Sequence, residues 1–302
     1  MQKNKLCPRA LALTLALVLI VPSAQADCFG MALHAHRGSN DAPENSLLAV
    51  KRAFDGQWDG AEIDIQRLRD QVWVLHHDLQ LGRTTTLQRR RAANLDSHAW
   101  KEVRLRDRRG VVGNEHAPFL TEVLAQVVSD EVKVMNVEIK ELNGNCVGAQ
   151  QAVRTLAEGR PNGRWFMTSI DRAQLQCVRR VDHQGYVGQI VLDPKALAEQ
   201  SRFSSMGKNL PPKLIDAAWL ARLRQDVGLP VGVHIDVATL AANPSLLADA
   251  KAIGVAVFTY SLNSDREHAE GLRKTALRTR LLPSGAIIDG APDQFCASLG
   301  PL

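Results

Sequence analysis

Eight short apolar runs, separated by stretches with helical spacing, constrain this chain more than any other feature. The runs are "MALHAH" (31–36), "GAEIDIQ" (60–66), "KVMNVEIK" (133–140), "RWFMTS" (164–169), "VGQIVL" (187–192), "VGVHIDV" (231–237), "VAVFTYSL" (255–262) and "GAIID" (285–289). Between them stand "SLLAVKRAF" (46–54), "LTEVLAQVV" (120–128), "GAQQAVRTLAE" (148–158), "DRAQLQCVRRV" (171–181) and "SLLADAKAIG" (245–254). Strands buried on both faces read as near-continuous apolar runs, and a parallel neighbour requires a crossover long enough to hold a helix. Eight such units over about 250 residues predict an α/β protein of the (β/α)8 barrel type. A doubly wound open sheet is the alternative; its first strand would feed a Gly-rich phosphate loop, whereas "HRGSNDAPEN" follows here. Asn45 and Asp171 stand where N-caps belong, and Gly159 and Gly254 where C-caps belong.

The first 26 residues are expected to lie outside that fold. Lys3, Lys5 and Arg9 precede an apolar run from Leu11 to Val21, and Ala24-Gln25-Ala26 closes it. Basic, apolar, then small is the order of a cleaved export signal, and the run is too short to span a bilayer. The expected organisation is therefore a signal peptide over 1–26 and a single barrel domain over 27–302, in a periplasmic or secreted protein. The formal net charge of the whole chain is +5. Removing the leader's three basic residues leaves 34 basic side chains against 32 acidic ones, so charge gives no case for nucleic-acid binding. The basic runs at 89–91 and 104–110 read as solvated loop surface, the other reading being attraction of an anionic substrate or a membrane surface. Of five cysteines, Cys7 belongs to the leader; the remaining four allow three disulfide connectivities. Cys28–Cys296 and Cys146–Cys177 are the favoured pairs, one near the two ends and one between neighbouring segments.

Charged residues inside strands call for a cause. Alternation places Glu62 and Asp64 on one face of their strand, and Glu138 and Lys140 on one face of another. Buried carboxylates are costly unless paired or bound to a cation. A hard divalent ion held by Glu62, Asp64 and Glu138 would remove their mutual repulsion; the alternative is an internal salt-bridge network with Lys140. His36 and His77 each follow a strand candidate, at the rim where barrel enzymes place chemistry. His34 is read as a barrel-interior residue, and His76 as lying behind the site or exposed. Arg37 supplies a permanent cation suited to phosphate oxygens, and Gly38 allows close approach of backbone and ligand. Together these groups suit hydrolysis of a phosphate diester: cations stabilise the phosphoryl oxygens, one histidine activates the attacking oxygen, and the other protonates the leaving alkoxide.

The motifs "AHRG…PEN", "EIDIQ", "HDLQLGRTT", "APFLTEVL" and "VEIK" occur in the order and approximate spacing of the glycerophosphodiester phosphodiesterase family, which the chain resembles over residues 32–140 and more weakly to about 295. The resemblance implies a (β/α)8 barrel that converts glycerophosphodiesters to sn-glycerol 3-phosphate and an alcohol. It implies His36 and His77 as the acid/base pair, and Glu62, Asp64 and Glu138 as ligands of one divalent ion, calcium or magnesium. It assigns Arg37 and Lys140 to the phosphate and Glu44 and Asn45 to the organisation of the first loop, with Glu44 a further candidate at the metal. Two stretches depart from the family pattern: "FTYSLN" (258–263), and Asp289-Gly290-Ala291-Pro292, where the acid is displaced by one position and is given no role. His234 and Asp236 share a face and either line the pocket or form a buried hydrogen-bonded pair. The expected partner is a small phosphodiester, with no nucleic acid and no stable membrane insertion; the oligomeric state is left open. One rival is a phospholipase D-like or phosphoinositide-type activity on intact lipid, disfavoured by an aromatic content of 5%. The other is a non-catalytic phosphodiester-binding barrel, which should have lost one of the five key side chains.

Overall fold

The computed structural model describes residues 28–141, 146–192 and 213–301. The signal peptide expected over 1–26 lies outside the described residues. Eleven strands are present among them: β1 (Ala32–Ala35), β2 (Gly60–Arg67), β3 (Trp73–Leu75), β4 (Arg104–Arg106), β5 (Val112–His116), β6 (Val134–Ile139), β7 (Arg164–Ser169), β8 (Val187–Val191), β9 (Val231–Asp236), β10 (Ala256–Tyr260) and β11 (Gly285–Ile288). Eight of them pair in parallel in the order β1-β2-β6-β7-β8-β9-β10-β11, and β11 pairs back onto β1, so the sheet closes into a barrel. The helices in chain order are α1 (Leu47–Asp55), α2 (Ser97–Trp100), α3 (Leu120–Gln126), α4 (Cys146–Gly159), α5 (Arg172–Arg179), α6 (Ala217–Val227), α7 (Val237–Ala242), α8 (Leu246–Ala252), α9 (Asp265–Thr279) and α10 (Pro292–Leu299). All eight predicted strands form. Among the described residues no helix is long and apolar enough to cross a membrane.

Alternation along the barrel strands sorts two populations. Ile63, Ile65, Val137, Ile139 and Val233 are fully buried and join one core with helix residues such as Leu120, Leu156 and Leu220. Truncating any of these isoleucines to Ala would cost about 2–5 kcal/mol, because a packed interior relaxes only partly around a cavity. The other face points into the barrel, where His34, Phe166, Tyr186, His234 and Phe258 form an aromatic plug. Phe166 and Tyr186 meet edge to face with centroids 4.8 Å apart, and His234 stacks on Phe258 at 4.8 Å. Gly285 and Gly232 make room for it: a Cβ at Gly285 would collide with the Phe258 ring, and one at Gly232 with the Tyr186 hydroxyl.

The element ends correct two of the four capping readings and match the other two. The N-cap of α1 is Ser46, whose hydroxyl accepts the Ala49 amide at 2.9 Å, not Asn45. Asp171 caps α5 as predicted, accepting the Ala173 amide at 2.9 Å. Gly254 sits at φ +72 just past α8 and serves the expected C-terminal role. Gly159, by contrast, has no left-handed backbone; it ends α4 where a Cβ would lie 2.6 Å from Leu124 Cδ1, so its absence of side chain serves helix packing.

Residues 68–119, between β2 and α3, build an addition to the barrel. Strand β3 runs antiparallel to β2, and β4 with β5 forms a separate antiparallel hairpin. Leu68, Val74, Trp100, Val103, Leu105 and Phe119 contribute to a second core of its own, and the Trp100 indole donates to the Ala117 carbonyl at 2.8 Å. Both favoured disulfides are present: Cys28–Cys296 and Cys146–Cys177.

Candidate active site

The chain leaves β1 through a tight turn that gathers most of the site. The His36 amide still donates to the Ile288 carbonyl (2.8 Å), continuing the ladder with β11. Arg37 then adopts φ 57 and Gly38 φ 84, and a Cβ at Gly38 would fall 2.7 Å from that of Ala49. A left-handed arginine costs on the order of 1 kcal/mol, offset here because the turn aims its amide at Glu62 Oε2 (2.9 Å). Asn45, also left-handed at φ 55, closes the loop by donating its amide to the Arg37 carbonyl at 2.8 Å. Its side chain donates to Asp64 Oδ2 (2.7 Å) and accepts the Asp64 amide (2.9 Å). Asn45 therefore braces the acidic strand across the mouth, consistent with the loop-organising role read from the sequence.

Glu62, Asp64 and Glu138 come together: each offers a carboxylate oxygen, and the three lie within 4.8 Å of one another. Neighbouring registers explain this, since Asp64 on β2 pairs with Glu138 on β6 and Glu62 lies two residues earlier. Lys140 Nζ sits 2.7 Å from Glu138 and 2.9 Å from Asp64, and Arg37 Nε sits 3.5 Å from Asp64. Burial would raise the Asp64 carboxyl, but Lys140, His77, Arg37 and Asn45 together hold it well below the usual range. Glu62 goes the other way: burial, then the charges of Asp64 and Glu138, push it well above. Three acids against two engaged cations leave Glu62 under-compensated, and hard oxygen donors at this spacing fit one divalent ion. The ammonium of Lys140 is thus committed to two carboxylates at the position where a phosphate contact was expected. Glu44 stands apart from the trio, shared between Arg37 (3.0 Å) and Arg83 (2.6 Å).

Each rim histidine has a carboxylate on Nδ1, an arrangement that fixes ring orientation and leaves Nε2 for a ligand. His36 meets Asp289 Oδ1 at 3.2 Å, and His77 meets Asp78 Oδ1 at 2.8 Å. His77 does not follow a barrel strand, as the sequence reading assumed; it follows antiparallel β3, which carries it back toward the mouth beside β2. Arg83 ties the two loops by binding Asp78 (2.8 Å) and Glu44 (2.6 Å). Asp289 corrects another reading. Gly285, Ile287 and Asp289 alternate on one face, and Ile287 is in register with His34, so the acid enters the site despite its shifted motif. That period-2 pattern was available in the sequence. A cavity of about 510 Å³ opens from His36, Arg37, Glu44 and Asp289 toward the hairpin arginines Arg106, Arg108 and Arg109.

The other histidines near the barrel axis lie deeper. His234 is buried, hydrogen-bonded to the Tyr186 hydroxyl at 3.1 Å and brought down to about 3 by burial. His34, inside the barrel as expected, is brought down to about 4 by burial and Arg164. Asp236 caps α7 through the Ala238 amide (2.7 Å) and accepts the Leu262 amide (3.0 Å). His76 is buried rather than exposed, edge-on to Trp100 at 6.3 Å.

Fold and rim define a class: a (β/α)8-barrel protein whose mouth is equipped for a hard cation beside an anionic ligand. Within that class the chain belongs to the glycerophosphoryl diester phosphodiesterase family, whose model matches residues 36–289. A glycerophosphodiester phosphodiesterase of Bacillus altitudinis is 28% identical over 131 residues, 42% of this chain and 52% of that protein. The chain spans about half the length of the curated relatives it matches. An Oleispira antarctica phosphodiesterase, solved with the product sn-glycerol-3-phosphate, superposes with a TM-score of 0.67 at 20% identity over 89% of this chain and 97% of its own. A glycerophosphodiester phosphodiesterase from Parabacteroides distasonis gives 0.67 at 16% identity, over 90% and 99%. At such identities these likenesses show the fold.

Proposed function

We propose that this protein hydrolyses glycerophosphodiesters to sn-glycerol 3-phosphate and an alcohol, using His36 and His77 as general acid and base. The carrying observation is the juxtaposition at one barrel mouth of three carboxylates within 4.8 Å and two imidazoles, each with a carboxylate on Nδ1. Family membership and the product held by the Oleispira relative support the same reading.

Glu62, Asp64 and Glu138 would hold a calcium or magnesium ion, which supplies positive charge for phosphoryl oxygens. Arg37, with its guanidinium fixed by Glu44 and Asp64, lines the cavity beside His36 and stabilises negative charge that builds on the phosphate. Lys140 bonds both Asp64 and Glu138, holds the Asp64 carboxyl well below its usual range, and joins the same positive field. One imidazole takes the proton of the attacking oxygen and the other gives one to the departing alkoxide. Asp289 and Asp78 hold the rings through Nδ1, leaving Nε2 to exchange protons with the reacting oxygens.

The test is release of choline from glycerophosphocholine with and without EDTA. Activity should vanish with the chelator and return with excess calcium or magnesium; turnover indifferent to EDTA would overturn the metal assignment. Faster turnover of intact lysophospholipid would favour the lipid reading instead. Export with cleavage after Ala26 belongs to the same proposal, supported by two disulfides of the kind kept in oxidising compartments. Mass spectrometry of the mature protein should find Asp27 at its amino terminus.

A further inference from the structure

The two basic runs of the sequence have different fates. Residues 89–91 are exposed and line no part of the cavity beside the site. Residues 104–110 form one strand and the turn of the β4–β5 hairpin, and Arg106, Arg108 and Arg109 form the cavity wall opposite His36 and Arg37. Five arginines face this space against three carboxylates, Glu44, Asp107 and Asp289.

The turn is built rather than loose. Asp107 Oδ1 accepts the amides of Arg109 (2.9 Å) and Val111 (2.8 Å), and the Gly110 amide donates to the Asp107 carbonyl at 2.9 Å. Arg106 is fixed by two carbonyls, Thr85 through Nε and Gly110 through NH1, both at 3.0 Å. Carbonyls position a guanidinium without neutralising it. Arg108 reaches across to Asp289 Oδ1 at 3.2 Å, pinning the turn to the end of β11 beside His36. Arg109 pairs with Asp107 at 3.0 Å but keeps 84% of its side chain exposed, so water screens the pair and the charge still reaches the cavity.

We infer that this wall is a second anion subsite, so that the preferred substrates are glycerophosphodiesters whose alcohol carries its own negative group, such as a second phosphodiester. The inference rests on the phosphodiesterase reading above and adds the identity of the alcohol. Glycerol is neutral in every such substrate, so a negative group that reaches the hairpin belongs to the other half. Guanidinium forks match the paired oxygens of a phosphoryl or carboxylate group and discriminate against the quaternary ammonium of choline. The preformed turn means little ordering is left to oppose binding.

The experiment compares kcat/KM for bis(glycerophospho)glycerol, glycerophosphoserine, glycerophosphoglycerol and glycerophosphocholine. In 20 mM salt the bis-phosphodiester should exceed the choline ester roughly ten-fold, and the advantage should fade in 1 M NaCl, where screening acts within about 3 Å. The serine arm separates a carboxylate from a second phosphate as the recognised anion. The double substitution Arg106→Gln and Arg109→Gln should bring the ratio of anionic to cationic substrate to about one, and Arg109→Glu should tilt it toward choline. A wild-type enzyme that hydrolyses all four equally, or prefers choline, overturns the subsite and leaves the phosphodiesterase reading intact. Calorimetric binding of bis(glycerophospho)glycerol to EDTA-treated protein gives a readout independent of turnover. Tighter binding by wild type than by the double variant supports the subsite even if no substrate is cleaved; equal binding refutes it.

Discussion

A single residue, Ala35, separates His34 from His36, and they live in different chemical worlds. His34 lies within β1 and His36 just past its end, still bonded to the Ile288 carbonyl, so alternation turns both toward the barrel. His34 sits level with the aromatic plug, beside Phe166 and Phe258, 1% exposed. His36 sits one step higher, its side chain 34% exposed, with Asp289 on Nδ1. His234 in the plug and His77 at the rim repeat the contrast. Height along the barrel axis, more than residue type, sets the surroundings of an imidazole. Below, burial keeps the ring neutral; above, a carboxylate orients it where solvent and ligand can reach.

The contrast breaks most decisively through His36→Ala or His77→Ala. Each should lower kcat for glycerophosphoglycerol by about 10²–10⁴-fold, the usual worth of a general acid or base. His234→Gln, which keeps a side chain able to bond Tyr186, should leave kcat nearly unchanged; a comparable loss there would erase the distinction.

The next largest effect concerns acid. His34 and His234 titrate near 4 and 3 in the folded protein, against 6.5 in an unfolded chain. Because the folded values are depressed, the unfolded state binds more protons as pH falls below 6.5. Stability is therefore full above that value and declines toward pH 4, by about 3 kcal/mol for each histidine. Urea titrations at pH 7 and pH 4 should show a loss that His234→Gln reduces. An identical loss in the variant would mean that the plug does not carry it.

A smaller effect sharpens the upper half of the comparison. Asp289→Asn should lower kcat about ten-fold, the lower end of what an orienting partner contributes, with little change in urea stability because Asp289 stands at the half-exposed rim. Stability lost in step with kcat would make Asp289 a structural brace.

Much of this architecture could be read from residue order, for identifiable reasons. The eight barrel strands are apolar on their outer faces because helices cover them, so residues such as Ile63, Ile65, Val137 and Ile139 announce them. The acid trio was legible because charged residues at period 2 contradict a buried strand. Strand β3 was read only as the run before His77 and taken for a barrel strand, and β4 and β5 were not read at all, because they are short, partly charged and held by contacts such as Trp100 to Ala117 that sequence spacing does not reveal. That blind spot misplaced His77 on a barrel strand and left Arg106 and Arg108 among solvated loops. Asn45 was given to helix capping because Asn commonly does that work; its neighbour Ser46 takes the cap and frees it for Asp64. Asp289 was set aside by comparing a motif's offset, when counting alternate residues along β11 would have kept it.

The bond between Cys28 and Cys296 joins the polypeptide just before β1 to the helix just after β11, the two strands whose four registered pairs complete the circle. A pull applied at opposite ends of the folded chain would therefore be borne by sulfur rather than by that rung of amides. With the bridge oxidised, the staves cannot be peeled apart from the place where the hoop was last fastened. Once it is reduced, that same join is where tension would first find purchase.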